Sequence, residues 1–229
     1  KASPLQTPTP INPQDYALIL EEKSNNTLEA NSAISLTQQF NGKNHLDTHI
    51  EVLSQGLIIP TAKQFLTHLK NVNQALANQL PLYNANGDLI EGEQLQTYAK
   101  ALNHDCWAWL NQSFKPGRGH LGLDLVTITG IKDNQLISQS EPLQQGLVEK
   151  DCYVDLESIN EQGFPTQKSP IQRYEPGKSI FFAYPRADSA SGFSALPDSA
   201  GFSCGWYPLD SVSGLGVFAS VEDASKGEK

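Results

Sequence analysis

The chain has 229 residues and a mass of 25.0 kDa, room for one large domain or two small ones. Lys and Arg total 16 against 25 Asp and Glu, a formal charge of -9, with no Lys/Arg-rich run. Nonspecific nucleic-acid binding and anionic membrane surfaces need clustered positive charge. A membrane helix needs about 20 apolar residues, far more than Leu57-Ile58-Ile59. Neither a nucleic-acid partner nor a membrane span is expected.

Residues 1–15 hold Pro4, Pro8, Pro10 and Pro13 among Thr, Gln and Ser and read as an extended arm. Residues 16–229 read as a single domain. Tyr16 to Leu20 suits a first strand, and 21–33 is polar and loop-like. Ile50 to Leu53 and Leu57-Ile58-Ile59 read as β, closed by Pro60. Thr61 with Gln64 has capping-box spacing. Phe65, Leu66, Leu69, Val72 and Leu76 then follow a helical period that ends at Leu80-Pro81. Asn84 to Asp88 carries the Asn-Gly hairpin signal. A second helix is predicted from Gly92 to Ser113, with Leu95, Tyr98, Ala99, Leu102, Cys106, Trp109 and Leu110 on one stripe. Beyond Lys115-Pro116-Gly117 the period becomes two, through Leu121, Leu123 and Leu125. Lys132-Asp133-Asn134 reads as a turn into Leu136-Ile137. Residues 142–178 are punctuated by Pro and Gly around Cys152-Tyr153-Val154, and Ser179 to Tyr184 reads as a buried strand. Two helices followed by a run of strands predict an α+β fold.

Few residues suggest chemistry. Cys106, Cys152 and Cys204 are odd in number and lack CxxC spacing, so they read as free thiols rather than zinc ligands or a disulfide framework. His45 and His49 are spaced i, i+4, but Asn41-Gly42-Lys43-Asn44 are poor helix formers and no HExxH pattern follows. Asn84, Asn86 and Asp88 alternate oxygens as a calcium loop does, without the closing Glu; a hairpin turn is the better reading. His104-Asp105-Cys106 places its thiol toward the core and its polar groups outward. Gly-x-Ser-x-Gly and P-loop patterns are absent, and Gly117-Arg118-Gly119-His120 reads as a solvated turn. Asn25-Asn26-Thr27 and Asn111-Gln112-Ser113 match glycosylation sequons. No metal and no cofactor are expected. A start at Lys1 and the lack of methionine read as a trimmed chain without a visible signal peptide.

The composition changes abruptly at residue 179. Every Gln and Asn lies before it, and from Ser179 to Val221 there is also no Lys, Glu, His or Thr. The segment is too aromatic for a flexible tail. Phe193, Ala195, Ala200, Phe202, Cys204, Pro208, Ser211 and Leu215-Gly216-Val217 read as fixed anchors. Between them stand Ser194, Leu196, Asp198, Ser199, Gly201, Ser203, Gly205, Trp206, Tyr207, Leu209, Asp210, Val212, Ser213 and Gly214. In a strand, Phe202 and Cys204 point inward while Gly201, Ser203 and Gly205 point outward.

Two helices, the second ending in Cys106-Trp107-Ala108-Trp109-Leu110-Asn111, then β-strands and a terminal Leu215-Gly216-Val217-Phe218-Ala219, resemble the C-type-lectin-like fold. More narrowly, residues 180–221 resemble the variable region of proteins diversified by diversity-generating retroelements. In that family, adenine-directed mutagenesis randomises chosen codons and leaves scaffold codons between them unchanged. The missing residue types match its restricted alphabet. Gly192 and Phe218 depart from it, standing where the family carries Arg. The resemblance implies two helices on antiparallel strands, an irregular C-terminal third, and a hypervariable surface for a protein or cell-surface ligand. The interleaved positions from Ser194 to Gly214 would be the contact residues, with Trp206 and Tyr207 as anchors. A cell-surface or virion location is favoured over the cytoplasm. Calcium motifs of lectins are absent. Two alternatives stand beside this reading. One is a formylglycine-generating-type enzyme, which uses a pair of cysteines where this region has only Cys204. The other is a structural virion or surface protein.

Overall fold

The computed structural model describes residues 11–22 and 28–222. In chain order the strands and helices are β1 (Tyr16–Glu22), β2 (Leu28–Ser35), α1 (His45–Ser54), α2 (Ala62–Leu76), β3 (Leu82–Tyr83), β4 (Leu89–Ile90) and α3 (Gly92–His104). There follow β5 (Cys106–Pro116), β6 (Leu123–Lys132), β7 (Gln135–Pro142), β8 (Cys152–Asp155), β9 (Ser179–Ala183), β10 (Ser189–Leu196), β11 (Ser199–Trp206) and β12 (Ser220–Glu222). The fold is α+β. Its main sheet has seven strands in the order β7-β6-β5-β10-β11-β9-β8, and a three-stranded sheet has the order β1-β2-β12.

Several expectations need correction. Helices number three among the described residues, and the main sheet is mixed, because β9 runs parallel to β11. The C-terminal third is not irregular throughout: residues 179–206 supply three strands of that sheet. Of the N-terminal arm, residues 1–10 lie outside the described part, while 11–15 are folded. Asn12 caps a short turn at Pro13–Asp15, and the Pro13 carbonyl accepts from the Ala85 amide at 3.1 Å. The polar stretch 21–33 holds strand rather than loop on both sides of 23–27, which lie outside the described part. There β2 pairs with both β1 and β12, so tertiary pairing overrides its poor propensity.

Ile50 to Leu53 is helical, not β. Asn44 caps α1 by accepting from the Asp47 amide at 2.9 Å, and His45, Thr48, His49 and Val52 form a buried stripe at i, i+3, i+4, i+7. The third helix stops at His104, nine residues short of Ser113 as predicted, because Asp105 breaks it with φ -153° and ψ 63°. Cys106, Trp109 and Leu110 belong to β5. Both faces of β5 are buried from Ala108 to Gln112, so its apolar residues satisfy either period. Asn111 spends its side chain there, donating to the Ile128 carbonyl at 2.8 Å and accepting from the Ile128 amide at 2.9 Å. The other sequon, at Asn25, lies outside the described residues.

The expected α2 forms with its capping box: Thr61 Oγ1 accepts from the Gln64 amide and Gln64 Oε1 accepts from the Thr61 amide. Its buried face, Phe65, Leu66, Leu69 and Val72, packs with α3 on one side of the main sheet. Phe65 meets Phe193 at 5.0 Å and Phe218 at 6.2 Å. Phe218 thus sits in the core, where an Arg would bury an unpaired charge. A second cluster unites Tyr16, Leu18, Val52, Trp109, Leu215 and Val217. Strand β1 lies between the two, sending Ala17 and Ile19 into the first and Leu18 and Leu20 into the second. At the β3–β4 turn, Asn84 Oδ1 accepts from the Asn86 and Asp88 amides at 3.0 and 2.9 Å, as a hairpin turn requires.

Three buried histidines bear on stability. Burial holds His45 down to about 4 and His68 to about 3, and lowers His49 well below its ordinary value, with His45 adding to the effect. Unfolded imidazoles titrate near 6.5. Between these values the unfolded chain binds more protons than the folded one, so stability falls as pH drops from about 6.5 toward 4. For His45 alone the loss approaches about 3 kcal/mol. Denaturant midpoints should be level above neutrality and decline steadily through this window; a flat profile would refute neutral burial.

Candidate ligand-binding surface

The β10–β11 hairpin turns at Pro197-Asp198, with Leu196 opposite Ser199, Ala195 opposite Ala200, Ser194 opposite Gly201 and Phe193 opposite Phe202. Alternation buries Phe193, Ala195, Ala200, Phe202 and Cys204 and leaves Ser194, Leu196, Ser199, Gly201, Ser203 and Gly205 exposed or half-exposed on the other face. Paired residues share a face, so the register extends this outer surface. Trp107 of β5 lies opposite Ser194, Gly201 opposite Phe181 of β9, and Phe181 opposite Tyr153 of β8. The row Trp107, Ser194, Gly201, Phe181, Tyr153 is aromatic at its ends and nearly bare in the middle. At about 4.8 Å per strand, Trp107 and Phe181 stand about 14 Å apart across a shallow trough. Trp107 is 41% exposed and Phe181 40%. Tyr153 braces Phe181 edge-on at 5.6 Å.

Trp206 extends the Trp107 wall. Its indole stacks on Trp107 at 6.0 Å and meets buried Trp109 edge-on at 5.4 Å. It lies flat on Gly192, where a Cβ would fall 2.0 Å from the ring. Beneath this ring there is no room for any side chain at 192. Trp206 is half-buried against the second core cluster, so it packs as well as presenting a surface. Tyr207 is 59% exposed and belongs to no core.

The loop after Trp206 carries Tyr207, Leu209, Asp210, Val212, Ser213 and Gly214, all exposed. Its backbone is held from below. The His45 amide donates to the Pro208 carbonyl at 3.0 Å, the Gly42 amide to the Leu215 carbonyl at 2.9 Å, and Gln38 Nε2 to the Gly214 carbonyl at 2.6 Å. The Gly216 amide then donates to the Trp107 carbonyl at 3.0 Å. Stacking at one end and this bond at the other bring the loop beside Trp107. Gly216 cannot change: a Cβ would lie 2.0 Å from Asn41 Oδ1 and 2.5 Å from the Gln39 carbonyl. Gly214 has open space, and a Cβ on Gly205 would make only ordinary contact. Gly201 is tighter, 3.3 Å from the Phe181 carbonyl.

The structure thus brings the interleaved positions onto two adjoining areas, the sheet face and the loop, with Asp198 at the hairpin turn. Among the expected anchors, Pro208 is half-buried and Ser211 exposed, so burial does not set these two apart from the interleaved positions. Trp107, Phe181 and Tyr153 escaped sequence reading. The sequence places Trp107 on a helix and Ser179 to Tyr184 in a buried strand, although Ile180 and Phe182 alternate with Phe181 in a strand pattern. The three cysteines are free, Cys106 and Cys204 buried and Cys152 half-buried, and burial pushes the Cys106 and Cys204 thiols up. His45 and His49 do share a helix face, with rings 4.7 Å apart, yet both are buried. Among the described residues no group of three or more His, Cys, Asp or Glu gathers as a metal site needs, and no helix is long and apolar enough to cross a membrane. No protein-family model, curated protein or solved structure matches the chain.

The two kinds of glycine separate by experiment. Gly192→Ala should displace Trp206, costing about 1–3 kcal/mol by overpacking, with a red-shifted tryptophan emission. Gly214→Ala should leave stability within about 0.5 kcal/mol and emission unchanged.

Proposed function

We propose that this chain is a ligand-binding protein with a C-type-lectin-like fold, whose contact surface is diversified by a retroelement. The observation that carries the reading is the division of labour between 193 and 217. Every interleaved position is exposed or half-exposed, while Phe193, Ala195, Ala200, Phe202, Cys204, Leu215, Gly216 and Val217 are buried. A sequence alphabet restricted at exposed positions and fixed at buried ones is what codon-targeted variation needs in order to preserve folding.

The surface suits a macromolecule. It is a broad, shallow face rather than a deep cavity, and rigid aromatic groups supply contact area at low entropic cost while Ser, Gly and Asp adapt. Trp206, backed by Trp107 and Trp109, and exposed Tyr207 are the anchors; Phe181 and Trp107 add walls from outside the interleaved set. A protein or other macromolecular ligand on a cell surface is the partner class, and no cofactor enters. Buried Cys204, its thiol pushed up, favours packing over nucleophilic chemistry.

Sibling copies of the gene should differ at positions such as 198, 206, 207 and 210 beside a reverse transcriptase and a template repeat. Identical siblings without a repeat would sink the diversification. Independently, replacing Tyr207, Leu209, Asp210 and Val212 together by Ser should cost no more than about 0.5 kcal/mol per site. Phe202→Ala should cost about 3–5 kcal/mol. Thermal melts compare the two, and equal losses would show that the loop side chains are structural.

A further inference from the structure

We propose that the protein self-associates through β7, pairing antiparallel with β7 of a second copy across a two-fold axis. Unpaired strand edges template association, and folded proteins cover or charge them. The other outer edges of the two larger sheets are covered. Beside β8, Ser169 donates to the Tyr153 carbonyl at 2.9 Å, and Val154 bridges to Lys168. Beside β1, Ala85 donates to the Tyr16 carbonyl at 2.8 Å; beside β12, Ile58 and Ser220 exchange amide bonds at 2.9 and 2.8 Å. Along β7 no such bond reaches Leu136, Ser138 or Ser140 among the described residues. The strand is exposed at every position but half-buried Leu136. It carries no Lys, and its only Pro, Pro142, is its last residue.

The β6–β7 turn decides which groups face outward. Asp133 and Asn134 have φ 50° and 60°, a two-residue type I′ turn that closes on Lys132 opposite Gln135. Such a turn makes that pair hydrogen-bonded, so Gln135, Ile137 and Gln139 direct their backbone groups to β6. Thr129 Oγ1 donates to the Ile137 carbonyl from the β6 side, consistent with this phase. Leu136, Ser138 and Ser140 therefore direct amides and carbonyls away from the sheet.

A second copy is the occupant that this edge fits. With the two-fold axis at Ser138, Ser138 pairs with its own equivalent and Leu136 with Ser140 of the other copy, using every outward group between them. Glu141, the one charged residue of β7, falls opposite Gln135, so no like charges meet despite the chain's formal charge of -9. Antiparallel pairing within one continuous sheet requires the axis perpendicular to that sheet. The two β10–β11 faces then lie about 40 Å apart along the sheet at about 4.8 Å per strand, turned away from one another by a strand twist of about 20–25° per strand. If those faces bind ligand as proposed above, the dimer carries two copies of the site, and a ligand that reaches both gains avidity. The dimer itself does not rest on that reading. A single strand pair is small beside the roughly 1,200–2,000 Å² of stable complexes, so the association is reversible and concentration-dependent.

Sedimentation equilibrium of the full chain from micromolar to near-millimolar concentration tests this without any ligand. The average mass should rise from 25.0 kDa toward twice that value. Ser138→Pro removes the central outward amide at a position an edge strand tolerates, and Ser140→Lys charges the edge. Either variant should stay monomeric with an unchanged melting temperature in dilute solution, and the second serves if the first misfolds. Exchange of the Leu136, Ser138 and Ser140 amides should slow as concentration rises. A mass fixed at 25.0 kDa, dimers undiminished in both variants, or protection of those amides already present at high dilution would overturn the proposal; the last would mean that the chain covers its own edge.

Discussion

The chain from Gln38 to His45 acts as a clasp for the C-terminal segment, and it grips backbone rather than side chains. Gln39 and Val217 exchange amide bonds at 2.7 and 2.9 Å, Gly42 holds the Leu215 carbonyl, and His45 holds the Pro208 carbonyl. Trp109, fully buried beneath, donates from Nε1 to the Lys43 carbonyl at 3.1 Å. Such bonds survive any change of side chain in the loop except proline at a donor. The clasp has its own cost: Phe40 sits at φ 56°, a left-handed conformation disfavoured by about 1–2 kcal/mol for a residue with a Cβ. Gly42 at φ 78° relieves the same demand two residues on. The segment sustains this geometry because Leu215, Val217 and Trp109 bury beside it.

A second separation runs through the sheet. On its inner face, Phe193 meets Phe65 of α2 and Phe202 packs between Phe182 and Phe164, and removing any one leaves a cavity that packing cannot close. The outer face of β10 and β11 carries Ser and Gly, whose replacement meets solvent more often than protein. Strand alternation therefore divides adjacent residues into those that hold the fold and those free to change. Gly192 is the exception that the register explains, since the Trp206 ring occupies the space above it.

Much of this division was legible in the sequence, because it follows from period two alone. The inward Phe202 and Cys204, the capping box at Thr61 and the Asn84 turn each depend on local chemistry. What failed depended on distant partners. The β5 strand looked helical because α3 and α2 bury one of its faces while Trp206 and the clasp bury the other, leaving no polar side to betray its period. The α1 helix was hidden because its buried stripe uses His45, Thr48 and His49, residues that a hydrophobic pattern does not count. The β2 strand was hidden because Ser32 and Ser35 are buried by pairing rather than by affinity for the core. Trp107 and Phe181 went unrecognised as surface residues for the same reason: which face of a strand is outward depends on what packs behind it.

Preorganisation connects these features. A loop that must be ordered on binding loses affinity to conformational entropy, about 0.5–1.5 kcal/mol for each immobilised side chain with many rotamers. Here Trp206 is already stacked between Gly192, Trp107 and Trp109, and the loop backbone is already tied at Pro208, Gly214 and Leu215. The side chains that remain to be ordered, Tyr207, Leu209, Asp210, Val212 and Ser213, have at most two side-chain torsions each. A surface built this way can change its chemistry at each exposed loop position without adding a cost of ordering the loop backbone. That is the physical condition under which substitution confined to those positions would yield new binding preferences from one fold.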